Sequence, residues 1–339
     1  MEDPGLHQYD WERASTFAIR RGRTPTSSPD RGRRYAAVVL LQLVLLVAFA
    51  GLGIAAQRLA PASLRTVVWL AFYWIVSPVL VLHTFLAVRV DRALLLALGA
   101  AMLGAWAAAG LAYLYARLVA DGRDERGALA LGGGFGNTGF VGIPLAQLAF
   151  GHPGVGLAVL YDRLAYLVPA SSVTVAMARV HGLRASVGSR RVRVRALLLN
   201  PPLLAALVAV GLRMGGVGVP GSAPAGTIAA ALVGPAGFLL LGLSLPLERF
   251  EHESQELGRA AGALAVRFAG GPLCLLTAAT ALGVHVPAPF YLLAAMPSAF
   301  HLLVLARVYD VRPRLMRLLV IGSTVPAVAG VALVSAIVR

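Results

Sequence analysis

Lysine is absent from this chain: every one of its 30 basic residues is arginine, and charged residues make up only 13% of its 339 positions. A soluble chain needs about 25% charged residues to cover its surface, so much of this surface faces something other than water. There is one cysteine, Cys274, inside an apolar run. It excludes an intramolecular disulfide and a cysteine metal cluster, and it reads as inert packing. Aromatic residues are not interleaved with the arginines. The net charge of +15 is therefore not the stacking surface of a nucleic-acid binder, and no nucleic-acid partner is expected. GxSxG, HExxH, Walker and paired-aspartate prenyl diphosphate motifs are missing. No enzyme, no catalytic residue, no metal site, no cofactor and no ATP-driven step is implied.

What is present is hydrophobicity, at 58% of residues with a mean hydropathy of +0.76. A bilayer core about 30 Å thick takes roughly 20 apolar residues per helix. Such runs fall near 35–57, 64–88, 93–118, 127–150, 154–180, 195–214, 225–247, 260–283, 287–307 and 315–338. Their lengths demand helix, because backbone groups in hydrocarbon must be bonded within the segment or in a closed barrel, and barrel strands would alternate polar and apolar residues. The expected fold is an all-α polytopic membrane protein in a lipid bilayer. A polar tail at 1–33 precedes a first five-helix repeat at 34–181, an Arg-rich loop at 182–194 and a second five-helix repeat at 195–339. The tail does not read as a cleavable signal, since the apolar run after it is too long. Abundant Arg, Ala, Gly and Pro fit a GC-rich bacterial genome and hence a bacterial inner membrane.

Arginines set an orientation. The loops after segments 1, 3, 5, 7 and 9 carry Arg58 and Arg65; Arg117, Arg123 and Arg126; Arg179 to Arg195; Arg249 and Arg259; and Arg307 to Arg317. The other loops carry only Arg89, Arg92 and Arg213. Odd loops are therefore expected in the cytoplasm and both termini outside, although the arginines of the tail argue the other way. Weak self-similarity maps segments 1–5 onto 6–10: Gly51-Leu52 with Gly211-Leu212, Ser77-Pro78 with Gly234-Pro235, and helix breaks near Pro144 and Pro297. An odd number of spans per half makes this an inverted repeat, with interrupted helices at matching places.

The stretch LGGGFGNTGFVGIPLAQLAFG at 131–151 contains a literal GxGxxG, Gly134 to Gly139. It lacks the preceding strand and the acid about 20 residues on that a dinucleotide fold needs. Gly132, Gly136, Gly139 and Gly142 would serve close helix packing. Asn137 and Pro144 ask for more: an amide, and a residue without an N–H, in an unwound segment suited to an anion. Thr138 and Gly139 lie beside them. In segment 9, Pro297 is flanked by Ser298 and His301, where a packing histidine and a substrate- or proton-handling one are both open. Asp162 and Arg163 are either a local ion pair or an intramembrane functional site, with Asp162 a candidate for proton coupling. His83 reads as a packing residue, and Glu248 to Glu256 as a solvated loop.

Gly136-Asn137-Thr138 followed by Gly142-Ile143-Pro144-Leu145 resembles the fourth helix of the auxin efflux carrier family. Asn200-Pro201-Pro202, Leu241-Gly242-Leu243, Ala265-Val266-Arg267-Phe268 with Gly271-Pro272, and Ala306-Arg307 with Tyr309-Asp310-Val311 match in order. The resemblance implies ten helices in two inverted five-helix repeats, a scaffold and a transport domain, crossing helices 4 and 9, outside termini and a homodimer. It implies transport of an organic anion, with Asn137, Pro144 and Pro297 as crossover residues. Leu302 and His301 depart from the plant members. The expected function is a secondary transporter, most simply an exporter of a small organic anion. Moving one negative charge outward releases about 2.3 kcal/mol per 100 mV, enough for a gradient of roughly fiftyfold. Sodium-coupled symport, a non-transporting sensor and a lipid-modifying enzyme are the other readings.

The orientation is checked by placing Ser189→Cys in a Cys274→Ala background and treating intact cells with a membrane-impermeant thiol reagent. No labelling until the membrane is opened is the expected result; ready labelling from outside reverses the topology.

Overall fold

A computed structural model describes residues 29–59, 61–88, 90–184, 201–219, 224–244 and 254–337 of the chain. Among them every extended element is a helix: α1 (Pro29–Leu59), α2 (62–87), α3 (Arg92–Val119), α4 (Arg123–Gly134), α5 (Thr138–Phe150), α6 (152–181), α7 (Pro201–Met214), α8 (Pro224–Ser244), α9 (254–282), α10 (Ala288–Ala294), α11 (His301–Tyr309) and α12 (Pro313–Ile337). Within the described residues, the ten expected apolar segments fall mainly on helix. Segment 4 is split into α4 and α5, and segment 9 into α10 and α11. The described helix already includes Pro29 to Arg33, inside the expected tail. The rest of the tail, most of the Arg-rich loop and Glu248 to Glu253 lie outside the described residues. Glu256 stands in the first turn of α9 rather than in a loop.

Arg92–Val119, Pro224–Leu243 and Gln255–Leu282 are each long and apolar enough to cross a membrane. Large apolar side chains such as Val44, Leu45, Leu95, Leu103, Leu207 and Leu276 are exposed on the outer surface, as a hydrocarbon environment allows and water does not.

Prolines shape the helices in a way the spacing of apolar residues does not reveal. The helices contain π-helical turns at Phe72–Val76, Thr138–Gly142, Tyr161–Tyr166 and Val266–Gly270. Pro78, Pro144 and Pro272 each follow two residues after such a turn, and Pro169 follows three after another. A proline in a helix lacks its N–H and its ring strikes the carbonyl four residues back. One extra residue in the preceding turn moves that carbonyl aside. The break expected around Pro144 is consequently not there. Pro144 is accommodated inside α5, and the chain unwinds earlier, at Phe135–Asn137.

The helices form two groups. Helices α1 and α8 pack along one another, as do α2 and α7, and these four make one layer. The other group is built on α3, packed against α4 and α9, with α5, α6, α10, α11 and α12 around them. Small residues set both contacts. A Cβ on Gly53 would meet the Leu239 carbonyl oxygen and lie 2.9 Å from Gly242 Cα, and one on Gly104 would lie 2.8 Å from Leu275 Cα. Gln57 Nε2 donates to the Gly242 carbonyl at 2.5 Å, and Arg213 Nη1 to that of Leu86 at 2.5 Å, tying the first layer together. The His83 ring lies against Gly226 in the same layer.

One end of the second group is closed by charge. Glu125, fully buried at 0% exposure, takes Arg259 on both carboxylate oxygens at 3.0 Å and Arg312 at 3.0 Å. Arg259 also pairs with Asp121 at 2.5 Å, Arg312 with Asp124 at 3.5 Å and Arg184 with Asp310 at 3.6 Å. These pairs draw the segments after expected helices 3, 5 and 9 to one end with the start of α9, in keeping with odd loops that share a side.

The packing predicts opposite outcomes for neighbouring glycines. Gly53→Ala forces α1 and α8 apart and lowers stability by about 1–3 kcal/mol, the usual cost of overpacking. Gly51 has nothing within 4 Å of its Cβ position, so Gly51→Ala is neutral or gains about 0.5–1 kcal/mol of helix propensity. Thermal unfolding in detergent distinguishes them; equal behaviour would remove Gly53 from the contact.

Candidate functional site

Unwinding a helix within hydrocarbon exposes backbone groups that must find partners. Here the two breaks serve one another. Phe135–Asn137 and Pro297–Ala299 run antiparallel, with Gly136 opposite Ser298. Asn137 N–H donates to the Pro297 carbonyl at 2.6 Å, and Ala299 N–H to that of Phe135 at 2.9 Å. The outward-pointing amides are met from the flanking helices: Gly136 N–H by the Tyr166 hydroxyl of α6, and Ser298 N–H by Ser323 Oγ of α12 at 2.9 Å. The Ser298 hydroxyl donates to the Gly132 carbonyl at 2.7 Å. The amides of Gly136, Asn137, Ser298 and Ala299 are therefore taken by the protein.

Side chains supply what the backbone does not. Asn137 caps α5, its Oδ1 accepting from Phe140 N–H at 3.1 Å. Its Nδ2 is buried and has no hydrogen-bond partner, on a residue only 4% exposed. The next residue, Thr138, donates its hydroxyl to Asp162 Oδ1. Asp162 in turn pairs with Arg163 Nε at 3.2 Å, and Arg163 Nη2 reaches Ser77 of α2 at 3.2 Å. A carboxylate thus sits at the N-terminal end of α5, where the helix dipole favours negative charge. Gly139 adjoins it: a Cβ there would lie 3.4 Å from Asp162 Oδ1. His301 opens α11, is exposed, and lies within electrostatic range of Asp162. Phe140 stands between Phe72 of α2 and Phe300, with ring centroids 5.1 and 4.6 Å away.

The structure thus gathers Asn137, Thr138, Gly139, Pro297, Ser298 and Asp162 around one crossing, with His301 at its edge. Pro144 lies further along α5, in the wall facing Gly234 of α8.

Arg267 completes the crossing and was legible in sequence only as part of a motif. It is 2% exposed and comes from the π-helical turn of α9. Its Nη1 donates to the Gly134 carbonyl at 2.7 Å and its Nη2 to that of Ala294. Gly134 ends α4 and Ala294 ends α10. One guanidinium therefore caps the negative C-terminal ends of both half-helices. Gly136 makes room for it, since a Cβ there would lie 3.4 Å from Arg267 Cζ and 3.0 Å from the Met296 carbonyl oxygen. The planar fork of arginine suits two carbonyls at once, as an ammonium does not. Its acceptors are 133 and 27 residues away in sequence, which is why apolar periodicity gave no sign of the role. Glu125 was missed for the same reason: it reads as one more charge in a loop.

Broken helices thus cross within this polytopic helical protein, with buried polar groups at the crossing. The family model described as membrane transport protein matches residues 36–335, and the chain belongs to that family, the auxin efflux carriers. Comparison with curated proteins finds no match.

Replacing Arg267 with Met keeps its bulk and leaves the Gly134 and Ala294 carbonyls without their donor. Two charge-assisted bonds are lost, at about 1.5–3 kcal/mol each. A clear fall in melting temperature in detergent is expected, with Arg267→Lys recovering only part of it. A methionine variant as stable as the parent would show that the crossing holds without the cap.

Proposed function

We propose that the chain is a secondary transporter for a small organic anion, binding the anion's charged group at the crossing of α4–α5 with α10–α11 and exposing it alternately to the two sides. The observation that carries this reading is the buried, unpartnered Nδ2 of Asn137 at the N-terminal end of α5. An orphaned buried donor is costly, and an incoming carboxylate relieves it. Thr138 and His301 offer further polar contacts, while Gly139, Pro144, Pro297 and Ser298 shape the crossing. A carboxylate held this way needs no lysine, in a chain that has none.

Ten spans in two inverted five-helix repeats account for several observations together. Exchanging the halves turns the α1–α8 contact, between segments 1 and 7, into the α2–α7 contact, between segments 2 and 6; both are extensive. The contact of α3 with α9 maps onto itself. The N–H of Gly136 bonds to a hydroxyl of the fifth segment, and that of Ser298 to a hydroxyl of the tenth. In this reading the layer of α1, α2, α7 and α8 is the scaffold and the remaining helices carry the site past it. Cytoplasmic odd loops, outside termini, the cell membrane and a homodimer complete the proposal, and export follows from an inside-negative potential acting on an anion. Proton coupling through Asp162 or His301 is the second reading, favoured by their electrostatic proximity.

Asn137→Ala removes the donor and the α5 cap. Loss of substrate-induced thermal stabilisation and of flux in proteoliposomes is expected, with a fall in stability of no more than about 1–2 kcal/mol. Unchanged transport kinetics would reduce Asn137 to a capping residue and remove the proposed site.

A further inference from the structure

We infer that Asp162 is a tethered stand-in for the substrate: in the empty carrier its carboxylate occupies the seat that the substrate's carboxylate takes during transport, and the incoming anion displaces it onto Arg163. This rests on the organic-anion reading and adds how the empty carrier returns.

The seat is built at the first turn of α5. Asn137 Oδ1 is pinned by Phe140 N–H, so Nδ2 on the same amide is held at that turn, buried and unpartnered. The Thr138 hydroxyl points to Asp162 Oδ1, and the carboxylate lies against Gly139, where a Cβ would be 3.4 and 3.6 Å from its two oxygens. Asp162 therefore takes the hydroxyl and the helix end but leaves the amide unmet. A substrate carboxylate has two oxygens and no tether, so it can meet both donors. Two carboxylates cannot share one donor set in ionised form. One must take a proton or move, and the structure supplies a place to move to. Arg163 Nε is already 3.2 Å from Asp162 Oδ2, and Arg163 is anchored to Ser77 across the boundary between the helix groups. Among the described residues, Tyr161 and Tyr166 on the same helix and His301 on α11 lie within range of Asp162, Tyr73 on α2 lies within range of Arg163, and Arg267 on α9 stands within range of both Tyr161 and Tyr166. No bond of the substrate is made or broken, and no proton crosses with it.

The consequence is a division of labour between net transport and exchange. Net transport requires the empty carrier to cross, with Asp162 satisfying the seat; exchange keeps the seat filled by substrate throughout. The test compares the parent with Asp162→Asn, using acetate, malonate, benzoate and indole-3-acetate in thermal-shift titrations and the tightest of them, radiolabelled, in proteoliposomes. Asp162→Asn should bind that probe about tenfold more tightly, the scale of one competing interaction removed. The ratio of net efflux to exchange should fall by a similar factor, and a pH gradient should not drive accumulation by the parent. Asp162→Glu, which keeps the charge, should bind the probe within a few-fold of the parent. Where the amide variant does not fold, Asp162→Ser, also neutral, is read instead. Binding by the parent with no gain in the neutral variants, or accumulation driven by a pH gradient, overturns the stand-in while leaving the anion reading intact. No stabilisation of parent or variants by any of the four probes overturns both.

Discussion

Backbone amides unwound within a membrane must be bonded somewhere, and in this protein one break supplies the partners for the other. The short antiparallel contact of Gly136 with Ser298 fixes much else. It requires α4–α5 and α10–α11 to cross at their centres. It brings α6 and α12 close enough for Tyr166 and Ser323 to take the two outward amides. It also places the ends of four half-helices, each with its dipole, around one point.

Those dipoles account for the charges buried there. The negative ends of α4 and α10 share Arg267, and the positive end of α5 holds Asp162. Each charge would be costly alone in hydrocarbon. Beside a helix end of opposite sign, and hydrogen-bonded, it is stabilised instead. Among the described residues the arrangement leaves the Asn137 amide unmet at the place where a ligand is proposed to bind; Arg267 Nε is also without a partner, but its guanidinium is already held through both Nη atoms.

Much of this was legible in the sequence, though unevenly. Long apolar runs located the helices because hydrocarbon admits little else. Pro297 marked the second break because no π-helical turn precedes it. Pro144 misled as to the first break because its turn, Thr138–Gly142, absorbs the proline; the glycines at 132–136 and Asn137 were the truer signal. Asp162 and Arg163 stood out as charges inside an apolar run. Arg267 and Glu125 did not, although each organises several elements, because their partners lie far away along the chain and a pattern of neighbours cannot show them.

The π-helical turn at Tyr161–Tyr166 also fixes the phase of everything that follows it. An α-helix advances about 100° per residue, and the turn holds one residue more than regular pitch would. Downstream, Ala170, Thr174, Ala178 and His181 form a single inward stripe only because of that surplus residue. Excising one residue from the turn would straighten the helix and rotate this stripe by about 100° toward lipid, carrying the His181 contact with Arg123 away with it. The charged pair and the inner face of the same helix are thus two halves of one gearing: the turn that presents Asp162 and Arg163 to the crossing is the turn that keeps the rest of α6 in mesh.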